Sequence, residues 1–367
     1  MSFQQNSIVR GLSRIFPAPT FLVLPAAGVD ISDSSVKWVL LSDANSQNRV
    51  ASYGEIRLSP GIVENGVVRD GDKLTMALKE MKKKIHPTTH IHMSLPEESV
   101  YVFLMRAPHA SSREHIRTLV EFEFENRVPL SIVESVYDFD IIHDGDGDAG
   151  MELVVTVFPR EIALQYIRAC ENAGLTVLSL ENELFSTAWA VIDTEVGKEG
   201  STLLIDFGGS RTGIACVHDR VPLFTATIPV GSGQMTENLM ASLGITENQA
   251  DTYKDTEGLS TPATTAGYKA LIPIADTLVS QVERYFRLWG HEKDSTANSI
   301  QQAVMVGGGA NVRGLPEYLS QKIRIPVSRG NVWCKVASFH DYIPPIEYDI
   351  SLKYATAIGL ALRGISL

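Results

Sequence analysis

The chain has 367 residues, 44% of them hydrophobic and 20% charged, with a formal net charge of -11 at pH 7. That length exceeds what one hydrophobic core normally serves, so two or more domains are expected, and the acidic balance excludes a protein that holds nucleic acid through a basic face. Three cysteines without C-x-x-C spacing exclude a disulfide framework or a zinc site and suit a reducing, cytoplasmic setting.

At the N-terminus, "SIVRGLSRIFPAP" carries Ile8, Val9, Leu12, Ile15 and Phe16 at helical spacing with Arg10 and Arg14 between them, then meets Pro17. A short tether over residues 1–20 is expected, with contact to an anionic membrane as the alternative. No apolar run reaches the roughly 18 residues of a spanning helix, and no signal-peptide pattern is present. "VDISDSSVKWVLL", residues 29–41, then places an aspartate at the end of an apolar strand, follows it with small hydroxyl residues and starts a second strand; "RVASYGEIRL" reads as a third. After the strand "HIHMSLP", residues 101–179 read strand, helix, strand, strand, helix, strand, with helices at about 113–126 and 160–173, as a self-contained insert would. Inside it, "GDGDAG" satisfies G-x-G-x-x-G, but Asp144, Asp146 and Asp148 would repel a pyrophosphate and a strand follows, so a solvated hairpin tip is expected. The nine histidines show no H-E-x-x-H spacing, and no G-x-S-x-G elbow occurs.

"LLIDFGGSRTGIACV", residues 203–217, repeats the grammar of the first hairpin. With Asp30 set on Asp206, Ser32 falls on Gly208, Ser34 on Ser210 and residues 38–41 on 214–217. Each copy precedes a β-rich run, so two similar α/β domains with facing turns are expected. Small residues in such turns let backbone N–H groups converge on phosphate oxygens. An aspartate at each turn would repel a polyphosphate unless a cation lay between, so Asp30 and Asp206 read as carboxylates that hold Mg²⁺ through waters. Lys37 would add a point charge from the second strand. Plain β-hairpin turns use the same residue types; two copies and a third motif favour the phosphate reading. That third motif is "AVMVGGGANVRGLPEYLSQKI", an apolar strand running into Gly307, Gly308 and Gly309 and then a helix. Three glycines let the backbone lie flat against a planar or anionic group. From residue 234 to 289 helical patterns dominate.

In this order the three stretches resemble the phosphate-1, phosphate-2 and adenosine motifs of the actin-like ATPase superfamily. The whole chain is similar to the PilM family of type IV pilus assembly proteins, through "GIVENGVVRDGDKLTMAL", "HIHMSLPEESVYVFLM", "VEFEFENRVPL", "PVGSGQMTENLMASLGI" and "YATAIGLALRGI". The resemblance implies an α/β actin-like ATPase fold, two ribonuclease-H-like domains flanking a nucleotide cleft. Subdomain 1A would take residues 21–100 and 180–200, the inserted 1C 101–179, 2A 201–232 and 303–350, 2B 233–302, and a C-terminal helix at the domain junction 351–367. It also implies ATP and Mg²⁺ in the cleft, with Ser32, Ser34, Ser35, Lys37, Gly208, Gly209 and Ser210 at the phosphates and Gly307, Gly308 and Gly309 along the adenosine. The family's Glu-x-x-Arg pair over the nucleoside reads here "SQVERYF", so Arg284 matches and Gln281 replaces the acid. Asp206 would orient the attacking water, with Glu181 or Glu183 assisting.

Ser32 stands where the family pattern has glycine, and its Cβ narrows φ space. At most slow ATPase activity is therefore expected, which suits a switch. The implied partners are the N-terminal cytoplasmic peptide of a PilN-like inner-membrane protein and other pilus assembly components, with recruitment to the cytoplasmic face of that membrane and a homo-oligomer as a further expectation. Two alternatives stand beside this. An FtsA-like cell-division protein would carry a linker and amphipathic helix after "LALRGISL"; a small-molecule kinase of the same superfamily would need a base aspartate between the lobes.

Overall fold

The computed structural model describes residues 25–44, 47–108, 112–144, 150–192, 200–291, 300–336 and 342–363. The expected tether and the "GDGDAG" tip, apart from Asp144 and Gly150 at its margins, lie outside them. In the first lobe β1 (Ala26–Ile31) is buried along its whole length, as a strand covered on both faces must be. It pairs antiparallel with β2 (Ser35–Ala44), which pairs antiparallel with the edge strand β3 (Gln47–Arg57). A small hairpin, β4 (Val63–Glu64) and β5 (Val67–Val68), turns through Asn65 and Gly66, both at positive φ. Helix α1 (Gly71–Lys84) is capped by the Asp70 side chain. On the other side of β1, β6 (His90–Leu95) runs parallel to it.

The insert begins with a short helical strap, Glu97–Ser99, and continues through β7 (Tyr101–Ala107), α2 (Arg113–Arg127), β8 (Ser135–Asp144) and β9 (Met151–Pro159). Its three strands form their own sheet, order β7-β9-β8, over a separate core in which Ile116, Val120 and Phe124 of α2 meet Leu153 and Val155. The chain then returns through α3 (Arg160–Asn172) and β10 (Thr176–Asn182). This corrects the expected boundary at residue 179. Helix α3 buries Ala163, Tyr166 and Cys170 with Leu74, Leu78 and Met81 of α1 in the first lobe's core, and β10 pairs parallel with β6. The insert with its own core therefore ends at β9; an apolar stripe shows that a helix is buried, not against which sheet.

After α4 (Glu183–Val191) comes the second lobe, β11 (Ser201–Phe207), β12 (Thr212–His218) and β13 (Val221–Ile228), then the helices α5 (Ser232–Leu243), α6 (Glu247–Thr256) and α7 (Ala266–His291). It closes with β14 (Ile300–Val306), α8 (Leu315–Ile323), β15 (Val327–Arg329), the single turn α9 (Tyr348–Ser351) and α10 (Ala355–Arg363). The two large sheets have strand orders β10-β6-β1-β2-β3 and β13-β12-β11-β14-β15. Read outward from β1 and β11 they match: two antiparallel neighbours on one side, two parallel on the other. The repeat in the sequence is thus a repeat of whole sheets.

Helix α10 brings the end of the chain back onto the first lobe. Its first eight residues are all buried, as in a helix enclosed on every side. It packs against β1 and α4, and the buried hydroxyls of Thr187 and Thr356 meet at 2.9 Å. Cys170, Cys216 and Cys334 form no disulfide. Among the described residues no helix is long and apolar enough to cross a membrane.

A candidate nucleotide cleft between matching turns

Between the lobes lies a cavity of about 800 Å³ onto which both aspartate turns open. The turns share one geometry. Ser32 N–H donates to Ser35 O at 2.9 Å, and Gly208 N–H donates to Arg211 O at 3.0 Å. Among the described residues the N–H groups of Asp33, Ser34, Gly209 and Ser210 have no acceptor in the protein; Ser34, Gly209 and Ser210 are exposed and Asp33 is half-buried at the turn tips, so a ligand oxygen can reach these donors and take them from water. Neither Ser32 nor Gly208 has positive φ, so the Cβ of Ser32 imposes no backbone strain. What Ser32 does change is donor supply, because its Oγ accepts the Ser35 N–H at 3.2 Å and withholds it from a ligand. The second turn is braced by α5: Ser232 N–H donates to Gly208 O at 2.9 Å and Gly233 N–H to Gly209 O at 2.8 Å. A Cβ at Gly231 would lie 2.3 Å from Gly209 O, so only glycine permits this approach.

Asp30 is 5% exposed. Lys37 faces it across the β1–β2 ladder, Nζ 3.7 Å from Oδ2, and Ser94 Oγ–H donates to Oδ1 at 3.1 Å. Asp206 occupies the equivalent place on β11, but its ladder partner is Gly213 rather than a lysine. Burial, and then the charge of Asp30, push the Asp206 carboxyl up to about 7, against a small opposing effect of Lys37. Glu183 is raised well above the ordinary carboxylate range by burial and by Asp30, Asp206 and Glu97. Burial raises Glu97 to about 8. Thr225 and Asn182 are its polar neighbours, yet neither carboxylate oxygen makes a hydrogen bond of ordinary geometry. Two buried carboxyls, Asp30 and Glu97, and two half-buried ones, Asp206 and Glu183, with Lys37 beside Asp30, form a site short of positive charge.

Of the residues expected at the site, Asp30, Ser32, Ser34, Ser35, Lys37, Glu183, Asp206, Gly208, Gly209, Ser210, Gly307 and Gly308 line this cavity. Gly307, at φ 82°, brings its Cα so close that a Cβ would lie 2.4 Å from Asp206 Oδ1. Four expectations are corrected. Gly309 packs beneath Phe207, where a Cβ would meet the ring at 2.4 Å. Glu181 points away and pairs with Arg363 at 2.7 Å. Gln281 and Arg284 lie on α7 outside the lining, where the Arg284 guanidinium covers the Tyr285 ring. The helix that reaches the cleft is α5, through Gln234 and Glu237; α7 packs behind it. Sequence reasoning also missed Asp33, Glu97 and Arg211. Strand order was the available signal for Glu97: β6 runs parallel beside β1, so its carboxyl end opens on the same crevice.

Two lobes of one strand order, a cleft between matching turns and an insert in the first lobe define an actin-like ATPase fold. Solved structures agree. The structure of a PilM-PilN type IV pilus biogenesis complex superposes with a TM-score of 0.79 at 21% identity, over 94% of this chain and 99% of that one. MreB5 of Spiroplasma citri bound to AMPPNP superposes at 0.52 and 11%, over 94% and 97%. Cell division protein FtsA of Enterococcus hirae is 27% identical over 86% of this chain and 82% of its own length. The sequence pattern of the type IV pilus assembly protein PilM family matches residues 28–365, and the chain belongs to that family.

Proposed function

We propose that the chain binds ATP with Mg²⁺ between its lobes and, in pilus assembly, captures the N-terminal cytoplasmic peptide of a PilN-like inner-membrane protein, which recruits it to the cytoplasmic face of that membrane. The observation that carries the nucleotide reading is the pair of facing turns, each with two unclaimed N–H groups and an aspartate at the end of the strand behind them, Asp30 buried and Asp206 half-buried. The residues fit the metal as well. Among the described residues no three His, Cys, Asp or Glu side chains converge to hold an ion unaided, which suits Mg²⁺ held largely by waters and phosphates with a carboxylate or two. Asp30 and Asp206 would hold it, Lys37 would offset phosphate charge, and the ion would supply charge neutralisation at the phosphates. Hydrolysis is slow in this reading, because Ser32 removes one donor from the first turn and positioning donors are the main catalytic resource of phosphoryl transfer.

The partner reading is supported by the likeness to the PilM-PilN complex and by the insert, whose helix α2 leaves Phe122 80% exposed among glutamates. Calorimetry should show Mg²⁺-dependent ATP binding in the wild type that falls at least about a hundredfold in Asp30→Ala/Asp206→Ala, since two charge-assisted contacts are lost. A pull-down with the PilN-type peptide should succeed with wild-type protein. Equal ATP affinity in the double variant would remove the aspartates from the metal site, and failure to retain the peptide would remove the proposed partner.

A further inference from the structure

Arg211 stands at the end of the second turn, in register with Ser35 of the first. Since Ser35 closes the same turn, the geometry does not require an arginine there. Its guanidinium instead crosses the cleft, 3.2 Å from Asp33 Oδ1 on the facing turn and in an ion pair with Glu98 on the strap that leads into the insert. Arg211 is only 19% exposed and borders both the main cavity and an adjoining one of about 440 Å³, which Glu97, Glu98 and Val100 of the strap region also line.

Given a polyphosphate between the turns, as proposed above, we infer that Arg211 reads the nucleotide's terminal phosphate and that its change of partner shifts the strap carrying the insert. The nearest unclaimed donors to Arg211 are the Ser210 and Gly209 N–H groups, so a phosphate bound there competes with two carboxylates for the same guanidinium. Arginine suits this role because its planar fork binds phosphate in two-point fashion. The two carboxylates respond differently to losing it. Asp33 keeps two donors, Asn65 N–H and Gly66 N–H, each at 3.1 Å. Glu98 keeps none: its oxygens are buried and make no hydrogen bond, so without Arg211 it holds an uncompensated buried charge, which is strongly unfavourable. Relief comes by moving the strap toward water. Residues 97–99 and β7 both pack on β13 of the second lobe, so a shift of the strap alters how the insert is seated.

The test uses full-length protein with Mg²⁺·ATP and Mg²⁺·ADP, titrated by calorimetry, and hydrogen–deuterium exchange over residues 97–107. Wild type should prefer ATP, and Arg211→Ala should erase about tenfold of that preference with little change toward ADP; Arg211→Lys should restore part of it. ATP should raise exchange over 97–107 in wild type and not in Arg211→Ala. Glu98→Gln should keep the ATP preference and lose the exchange response. Equal losses toward ATP and ADP in Arg211→Ala, or an exchange response that survives in it, would overturn the assignment while leaving the nucleotide cleft standing. Wild type that binds neither nucleotide would overturn both.

Discussion

Gly359→Ala is expected to destabilise the protein by about 4 kcal/mol or more, and Gly359→Val to leave no soluble folded chain. A Cβ at Gly359 would lie 1.8 Å from Ser186 O and 2.6 Å from its carbonyl carbon, both backbone atoms of α4. On the opposite side α10 meets β1 as closely, since a Cβ at Gly28 would lie 2.0 Å from Ala357 O. Overpacking in cores commonly costs about 1–3 kcal/mol when side chains can yield; here no side chain stands between the backbones, so the elements themselves must part. Against a typical total stability of about 5–15 kcal/mol that is a large fraction. Because Ala355 and Thr356 at the start of the same helix line the cleft, ligand binding should fail with the fold. Urea titration checks this, with Gly71→Ala as control: Gly71 opens α1 with nothing within 4 Å of a Cβ, and its substitution should be neutral or slightly stabilising. A Gly359→Ala midpoint equal to wild type would show that α10 is not wedged as described.

Much of the architecture was legible because it is written twice. The Asp30 and Asp206 hairpins declare themselves through period and residue type, and both reach the cleft. Gly307 and Gly308 were legible for the same reason: a strand that ends in several glycines marks close backbone approach. Helices α2 and α3 were also readable from their apolar spacing, at 113–126 and 160–173 against the observed Arg113–Arg127 and Arg160–Asn172. What stayed hidden depends on contacts between distant segments. The allegiance of α3 to the first lobe follows from Tyr166 and Cys170 meeting α1, which no local pattern encodes. Gln281 and Arg284 have helical spacing suited to a ligand face, but tertiary packing places α5 in front of them. Arg211 carries no local signal, because its partners are Asp33 and Glu98 across the cleft.

Glu97→Gln is expected to stabilise the ligand-free protein by a few kcal/mol at pH 8 and by little near pH 5. Glu97 is 6% exposed at the carboxyl end of the β6 segment, faced by Thr225, Asn182 and Glu183. Its affinity for a proton is raised from 4.5 to about 8 on folding. Between those values the native state holds a proton that the unfolded chain has released, so stability falls as pH climbs through the interval and levels off above it. Each unit of such a shift corresponds to about 1.4 kcal/mol, and glutamine, neutral at every pH, removes this contribution. A shallower slope should remain in the variant, since Glu183 and Asp206 are raised in the same direction. Urea midpoints of both proteins at pH 5 and pH 8 decide it; parallel lines would mean that Glu97 carries its charge in the folded state. The same imbalance bears on the ligand. A divalent cation beside Asp206 favours the ionised carboxyl, so Mg²⁺·ATP binding near neutral pH should release protons, visible as binding heats that change with the ionisation enthalpy of the buffer. Binding heats that are the same in buffers of different ionisation enthalpy would mean that Asp206 is already ionised before the metal binds.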